Sequence, residues 1–121
     1  MNEIKAGDMI LIHLDEKREY MIQAREELRL SSDLGEILVK DLIGKPYGFV
    51  GKTHLERPFF CLKPSLSDLM MKVKRNTTVV YPKDLGYLLL ETSIGPGSRV
   101  IEVGTGSGAL TLVLARLTAP D

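Results

Sequence analysis

Apolar residues fall along this chain in two textures. Up to about residue 62 the apolar runs are short, at 9–14, 19–23, 36–39, 49–51 and 59–62. Gly7-Asp8, residues 33–35 and 44–46, and Arg57-Pro58 punctuate them. Short β-prone runs at close spacing, with turn-forming residues between them, predict a small antiparallel sheet or barrel. From Pro64 the period lengthens. Ser65-Leu66-Ser67-Asp68 has the S-x-x-D form of a helix start, and Leu66, Leu69, Met70 and Val73 follow at helical spacing. Residues 77–81 are β-branched and read as extended. Proline suits a first helical position, so Pro82 predicts a helix to about Ser93, with Leu85, Leu88, Leu89 and Thr92 turned inward. Gly95-Pro96-Gly97 ends it. A buried strand is expected at 99–103, then a glycine turn. A helix over 109–117 follows, with Leu110, Leu112, Val113, Leu114 and Leu117 almost encircling it.

Length and composition narrow this picture only a little. A chain of 121 residues is one domain, or one small domain and part of another. Its hydrophobic fraction of 44% and charged fraction of 26% are those of an ordinary globular protein and exclude a disordered tail or a collagen-like rod. Sixteen Lys and Arg balance sixteen Asp and Glu, so no global basic field advertises a nucleic-acid partner. The one cysteine, Cys61, lies in F-F-C-L and reads as a small buried hydrophobe. His13 and His54 are far apart and lack ligand spacing, so they read as structural and no metal is expected. No apolar run approaches the ~18 residues of a membrane span, and no signal-peptide segment opens the chain. A cytoplasmic protein that meets no membrane is expected.

Chemistry enters at V-I-E-V-G-T-G-S-G-A-L, residues 100–110. Gly104, Gly106 and Gly108 lie between the expected strand and helix. Without side chains such a turn lets a ligand lie against main-chain N–H groups at the positive end of the helix. The spacing is G-x-G-x-G. Dinucleotide sites prefer G-x-G-x-x-G but tolerate alanine at the last position, where Ala109 stands, so spacing alone leaves a nicotinamide site open. A turn without any ligand also stays open. Glu102 tilts the balance. S-adenosylmethionine carries an ammonium and a sulfonium cation that a carboxylate suits, whereas a pyrophosphate would be repelled.

The predicted fold class is therefore α+β. A small N-terminal antiparallel β domain (1–63) precedes a segment (64–121) of linking helices and the first βα unit of a truncated Rossmann-type methyltransferase domain. A parallel strand needs neighbours on its edges and helices over both faces. One βα unit supplies neither, so the sequence is expected to be a fragment, or to borrow strands from another chain.

With these motifs in hand, the chain resembles the tRNA (adenine-58-N1)-methyltransferases of archaea and bacteria. The resemblance rests on four stretches: D-L-G-E-I-L-V-K-D-L-I-G-K-P-Y-G (33–48), L-K-P-S-L-S-D-L (62–69), K-R-N-T-T-V-V-Y-P-K-D-L-G-Y-L-L (74–89) and I-G-P-G-S-R-V-I-E-V-G-T-G-S-G-A-L-T (94–111). Thr78 stands where many relatives are expected to have glutamine. The resemblance implies an S-adenosylmethionine-dependent enzyme that methylates N1 of a T-loop adenine in tRNA and assembles as a homotetramer. It places the cofactor at Glu102, Gly104, Thr105, Gly106, Ser107, Gly108, Ala109 and Leu110, with Tyr81 near cofactor and target base. A tyrosine there offers a stacking face and a hydroxyl; it could equally plug a seam between domains. The general-base aspartate falls beyond residue 121, so no catalytic residue is expected in this chain, which alone should be inactive.

Between Lys63 and Lys83 the cations Lys63, Lys72, Lys74, Arg75 and Lys83 face only Asp68. Of these, Lys72, Lys74, Arg75 and Lys83 are candidates for the tRNA backbone, against the plainer reading of a solvated face. Two other functions remain. One is a different class I methyltransferase, such as a protein isoaspartyl enzyme, against which the organised β domain argues. The other is a non-catalytic assembly module.

Overall fold

The computed structural model describes residues 2–72 and 81–119, with the Lys72 side chain outside that description. It divides into two compact units, Met1–Pro64 and Ser65–Asp121.

The first unit is antiparallel throughout. β1 (Met9–Asp15) and β2 (Arg18–Gln23) form a hairpin, as do β3 (Arg29–Ser32) and β4 (Gly35–Leu38); β5 (Phe49–Lys52) and β6 (Pro58–Leu62) form a third. β6 pairs with β1, which gives a four-stranded sheet in the order β2-β1-β6-β5 beside the separate β3-β4 ribbon. Strand alternation sets the core. Ile10 and Ile12 of β1 and Phe59 and Cys61 of β6 are buried, with Phe60 exposed between the last two. Ile4, Ala24, Ile37, Val39 and Leu42 complete that cluster. Each large apolar side chain removed from water contributes about 1.5–3 kcal/mol. Gly51 is needed for the packing, since a Cβ there would lie 2.5 Å from Cζ of Phe59.

Local sequence signals set the helices of the second unit. Ser65 and Asp68 form a reciprocal capping box at the start of α1 (Leu66–Lys72). The Ser65 N–H donates to Asp68 Oδ2 at 2.9 Å, and the Asp68 N–H donates to Ser65 Oγ at 3.0 Å. Helix α2 (Pro82–Thr92) opens on its proline, where the missing N–H costs nothing. Helix α3 (Ala109–Thr118) follows the glycine turn. Met70, Leu85, Ala109 and Val113 make this unit's core, flanked by Leu66, Leu89, Leu110 and Leu117.

Three expectations need revision. The inward stripe of α2 is Leu85 and Leu89, because Leu88 and Thr92 are exposed. Leu112 is also exposed, so α3 is not covered on every side. Residues 99–103 form no strand. A strand is defined by its ladder partners, and among the described residues none pairs with this segment. Val73 and residues 77–80 lie outside the described residues.

Candidate functional site

The turn at 104–108 is built from left-handed glycines. Gly104, Gly106 and Gly108 have φ of 79°, 59° and 85°, which costs a residue with a Cβ about 1–2 kcal/mol each. Around Gly104 and Gly108 an added Cβ would meet nothing within 4 Å, so backbone conformation is what selects glycine there. The Gly108 N–H donates to Thr105 O at 3.1 Å, and its carbonyl accepts from Leu112 N at 2.8 Å to begin α3. Gly108 is the N-cap and has no side chain to cap with. The first amides of α3 are thus left for another acceptor, in the field of the helix's positive end. Ala109 is buried and Leu110 packs on the core, which fixes the helix that carries the turn. Thr105 and Gly106 are exposed, and Ser107 is half-buried.

Glu102 sits just ahead of the turn, half-buried, and its Oε1 accepts a hydrogen bond from the Thr111 hydroxyl. A second bond ties the same segment to α3 at the helix's far end, from Gly97 N to Thr118 O at 3.0 Å. Between these two ties lies an open cleft of about 740 Å³ whose walls include Arg99, Ile101, Glu102, Leu114 and Ala115. The glycine turn is not on its wall, so the cleft and the candidate ligand turn share only Glu102. Ile101 and Val103 are 93% and 92% exposed, the apolar sides of a segment without ladder partners. Thr111 is a contact of the candidate site that sequence reasoning missed. A threonine in the first turn of the helix, nine residues after the motif's glutamate, was the available signal.

The other candidates are less gathered. Tyr81 precedes α2 in an extended conformation (φ −77°, ψ 156°), and its carbonyl accepts from Asp84 N and Leu85 N, each at 3.0 Å. Its side chain is 49% exposed, and among the described residues no hydrogen bond links it to Glu102 or to 104–110. Lys83 is exposed in the first turn of α2, and Lys72 ends α1. Lys74 and Arg75 lie outside the described residues. Both histidines have structural partners. His13 Nδ1 lies 2.9 Å from Glu19 Oε2, and His54 Nδ1 accepts from the Glu36 N–H at 2.8 Å. Among the described residues no three His, Cys, Asp or Glu side chains are grouped to hold a metal, and no helix is long and apolar enough to cross a membrane.

Comparison with known proteins fits this geometry. The family described as tRNA methyltransferase complex GCD14 subunit matches residues 59–121, which include the starts of α1, α2 and α3 and the whole glycine turn. The chain belongs to this family. The tRNA (adenine(57)-N(1)/adenine(58)-N(1))-methyltransferase TrmI of Methanocaldococcus jannaschii is 34% identical over 103 residues, covering 84% of this chain and 35% of that protein. This chain therefore spans about a third of that curated relative's length. A SAM-dependent O-methyltransferase of Thermotoga maritima superposes with a TM-score of 0.87 at 32% identity, over 98% of this chain and 44% of the other. The tRNA (m1A58) methyltransferase TrmI of Aquifex aeolicus superposes at 0.76 and 31% identity, over 96% and 45%. The α+β architecture of this chain is thus that of the corresponding part of these methyltransferases. Family membership extends the argument beyond the turn, since the match begins at Phe59, inside the β unit.

Proposed function

We propose that this chain carries the cofactor turn of an S-adenosylmethionine-dependent tRNA methyltransferase whose product is N1-methyladenosine in the T-loop. The observation that carries the reading is the run of left-handed glycines leading into an uncapped α3, with the Glu102 carboxylate beside its first turn. The residues fit the cofactor's donor and charge pattern. The free amides of α3 suit its carboxylate, and Glu102 suits its cationic groups. When bound, S-adenosylmethionine supplies a methyl group on a sulfonium. Gly104, Gly106 and Gly108 leave space for it to approach the backbone, and Thr105, Ser107, Ala109 and Leu110 complete the turn.

Tyr81 is proposed to lie toward the target base, offering its ring for stacking and its hydroxyl as a donor. Lys72, Lys74, Arg75 and Lys83 are proposed to meet the tRNA backbone. Adenine N1 becomes a better nucleophile as its exocyclic amine gives up proton density, which asks for a carboxylate base. None of residues 104–110 carries a carboxylate, so the turn binds and orients and does not act as that base. The β unit (1–63) and the methyltransferase segment (64–121) are proposed to be separate domains of a cytoplasmic homotetramer.

The test is methyl transfer from labelled S-adenosylmethionine to unmodified tRNA by the complete gene product, with nucleoside analysis of the digest. N1-methyladenosine is expected. Label on another nucleoside, or on protein, would overturn the choice of acceptor.

A further inference from the structure

The hydroxyl of a threonine inside a helix ordinarily turns back to the carbonyl four residues earlier. Two threonines of this chain do so: Thr92 donates to Leu88 O at 2.7 Å, and Thr118 donates to Leu114 O at 2.8 Å. Thr111 does not. It is the third residue of α3, the residue four before it is Ser107 ahead of the helix, and its hydroxyl goes to Glu102 Oε1. The bond crosses from the helix to the segment that leads into the glycine turn. It places a carboxylate at the positive end of α3, on the side of a helix whose N-cap has no side chain.

We propose that Thr111 is a positioning residue that holds the Glu102 carboxylate in place for the cationic end of the cofactor. The inference rests on the reading of 104–110 as the S-adenosylmethionine turn and adds the group that organises its charge. A glutamate has three side-chain torsions to freeze when it grips a cation, and freezing them on binding weakens the complex. Thr111 freezes them beforehand. It bonds Oε1, which leaves Oε2 for the cation. The tie between Gly97 N and Thr118 O anchors the other end of the same segment, so the carboxylate is held against a fixed helix. The sequence offers the pair as E-x₈-T, with the glycines between its members.

The experiment is calorimetric titration of S-adenosylmethionine into the complete gene product and its Thr111→Val, Thr111→Ser, Glu102→Gln and doubly substituted Glu102→Gln/Thr111→Val forms. Thr111→Val keeps the side chain's shape and removes its hydroxyl. It is expected to weaken binding by up to about ten-fold, the cost of immobilising one long side chain on binding. Thr111→Ser is expected to stay within about two-fold of the parent. In the Glu102→Gln background the valine substitution should cost little more. A readout without cofactor accompanies it: the side-chain scalar couplings of Glu102, which should report one rotamer in the parent and averaging in Thr111→Val. Equal losses in valine and serine forms, or a valine penalty undiminished in the Glu102→Gln background, would overturn the positioning role. So would a Thr111→Val form that binds like the parent. A parent that shows no binding would instead overturn the cofactor reading, and this inference with it.

Discussion

Arg18 holds Asp33 through two parallel bonds, Nε to Oδ1 at 2.6 Å and Nη2 to Oδ2 at 2.5 Å, while its Nη1 reaches Asp15 Oδ2 at 2.6 Å. One guanidinium thus fastens the β3–β4 turn to the β1–β2 hairpin, across two sheets that share no ladder. The hydrogen bond from Arg18 holds the Asp33 carboxyl below the usual aspartate value of 3.8, and the guanidinium's own pKa is raised in return. A carboxyl with a lowered folded pKa stabilises the fold fully above its unfolded value. That contribution fades as pH falls below 3.8 toward the folded value. Arg18→Met should therefore lower the melting temperature at neutral pH, and the gap to the parent should narrow as pH falls through and below 3.8. A gap that stays constant over that range would show that packing of the arginine stem, and not the ion pair, is responsible.

A second joint to the β3–β4 turn, made by the loop that follows β5, carries no charge. Thr53 is buried, its hydroxyl donates to Leu34 O at 2.8 Å, and the same oxygen accepts from Leu55 N and Arg57 N at 3.3 Å. Gly35 lies directly against it, at φ 120°, where a Cβ would sit 2.5 Å from Thr53 Oγ1. Thr53→Val leaves two turn amides and a carbonyl short of a partner, and is expected to cost about 1–3 kcal/mol of stability in denaturant unfolding. Gly35→Ala adds a clash to backbone strain and should cost a similar amount or more. A Cβ at Gly35 would also lie 2.8 Å from Thr53 Cβ, so the close approach is the cause if Gly35→Ala costs clearly less in a Thr53→Gly background than in the parent, and the positive φ is if the cost is unchanged.

The contrast between these two joints marks what was legible from sequence. The capping box at Ser65 and Asp68, the proline at the head of α2 and the glycines ahead of α3 are local devices, written in neighbouring residues and found where expected. β3 was not expected, because R-L-S-S has one apolar residue. Its pairing is decided across the hairpin, with Leu30 opposite Ile37. Residues 99–103 show the reverse case. Their apolar pattern suits a strand, but ladder partners are a property of other segments, and the described residues supply none. At the candidate site the same rule holds. The turn could be read locally, whereas Thr111's bond to Glu102 depends on how α3 folds back beside the segment ahead of the turn.

Cys61 gives a simple check on the core of the β unit. It is fully buried between β1 and β5, opposite Ile12 and Phe49, and burial pushes its thiol up to about 11. Thiolate is the reactive form, so at pH 8 alkylation in the folded protein should be slower than in denaturant by orders of magnitude. Rapid labelling of the native protein at one thiol per chain would mean that the β6 strand opens easily, contrary to its place in the sheet.

The glycine turn permits a sharper experiment, because conformational need and ligand approach can be separated there. Gly104 has φ 79° and open space where a Cβ would be. Asparagine tolerates the left-handed region far better than valine does. If the glycine serves backbone geometry alone, Gly104→Asn should leave both melting temperature and S-adenosylmethionine affinity nearly intact, with Gly104→Val impairing both. If the cofactor lies against the turn, any side chain at this position occupies the space the ligand needs. Gly104→Asn should then melt within a few degrees of the parent yet bind S-adenosylmethionine at least ten-fold more weakly, a loss of about 1.4 kcal/mol. The second pattern is the expected one. An asparagine form that binds like the parent would remove close approach as the reason for the first glycine, and the cofactor's contact with the turn would have to be sought at Gly106 and Gly108.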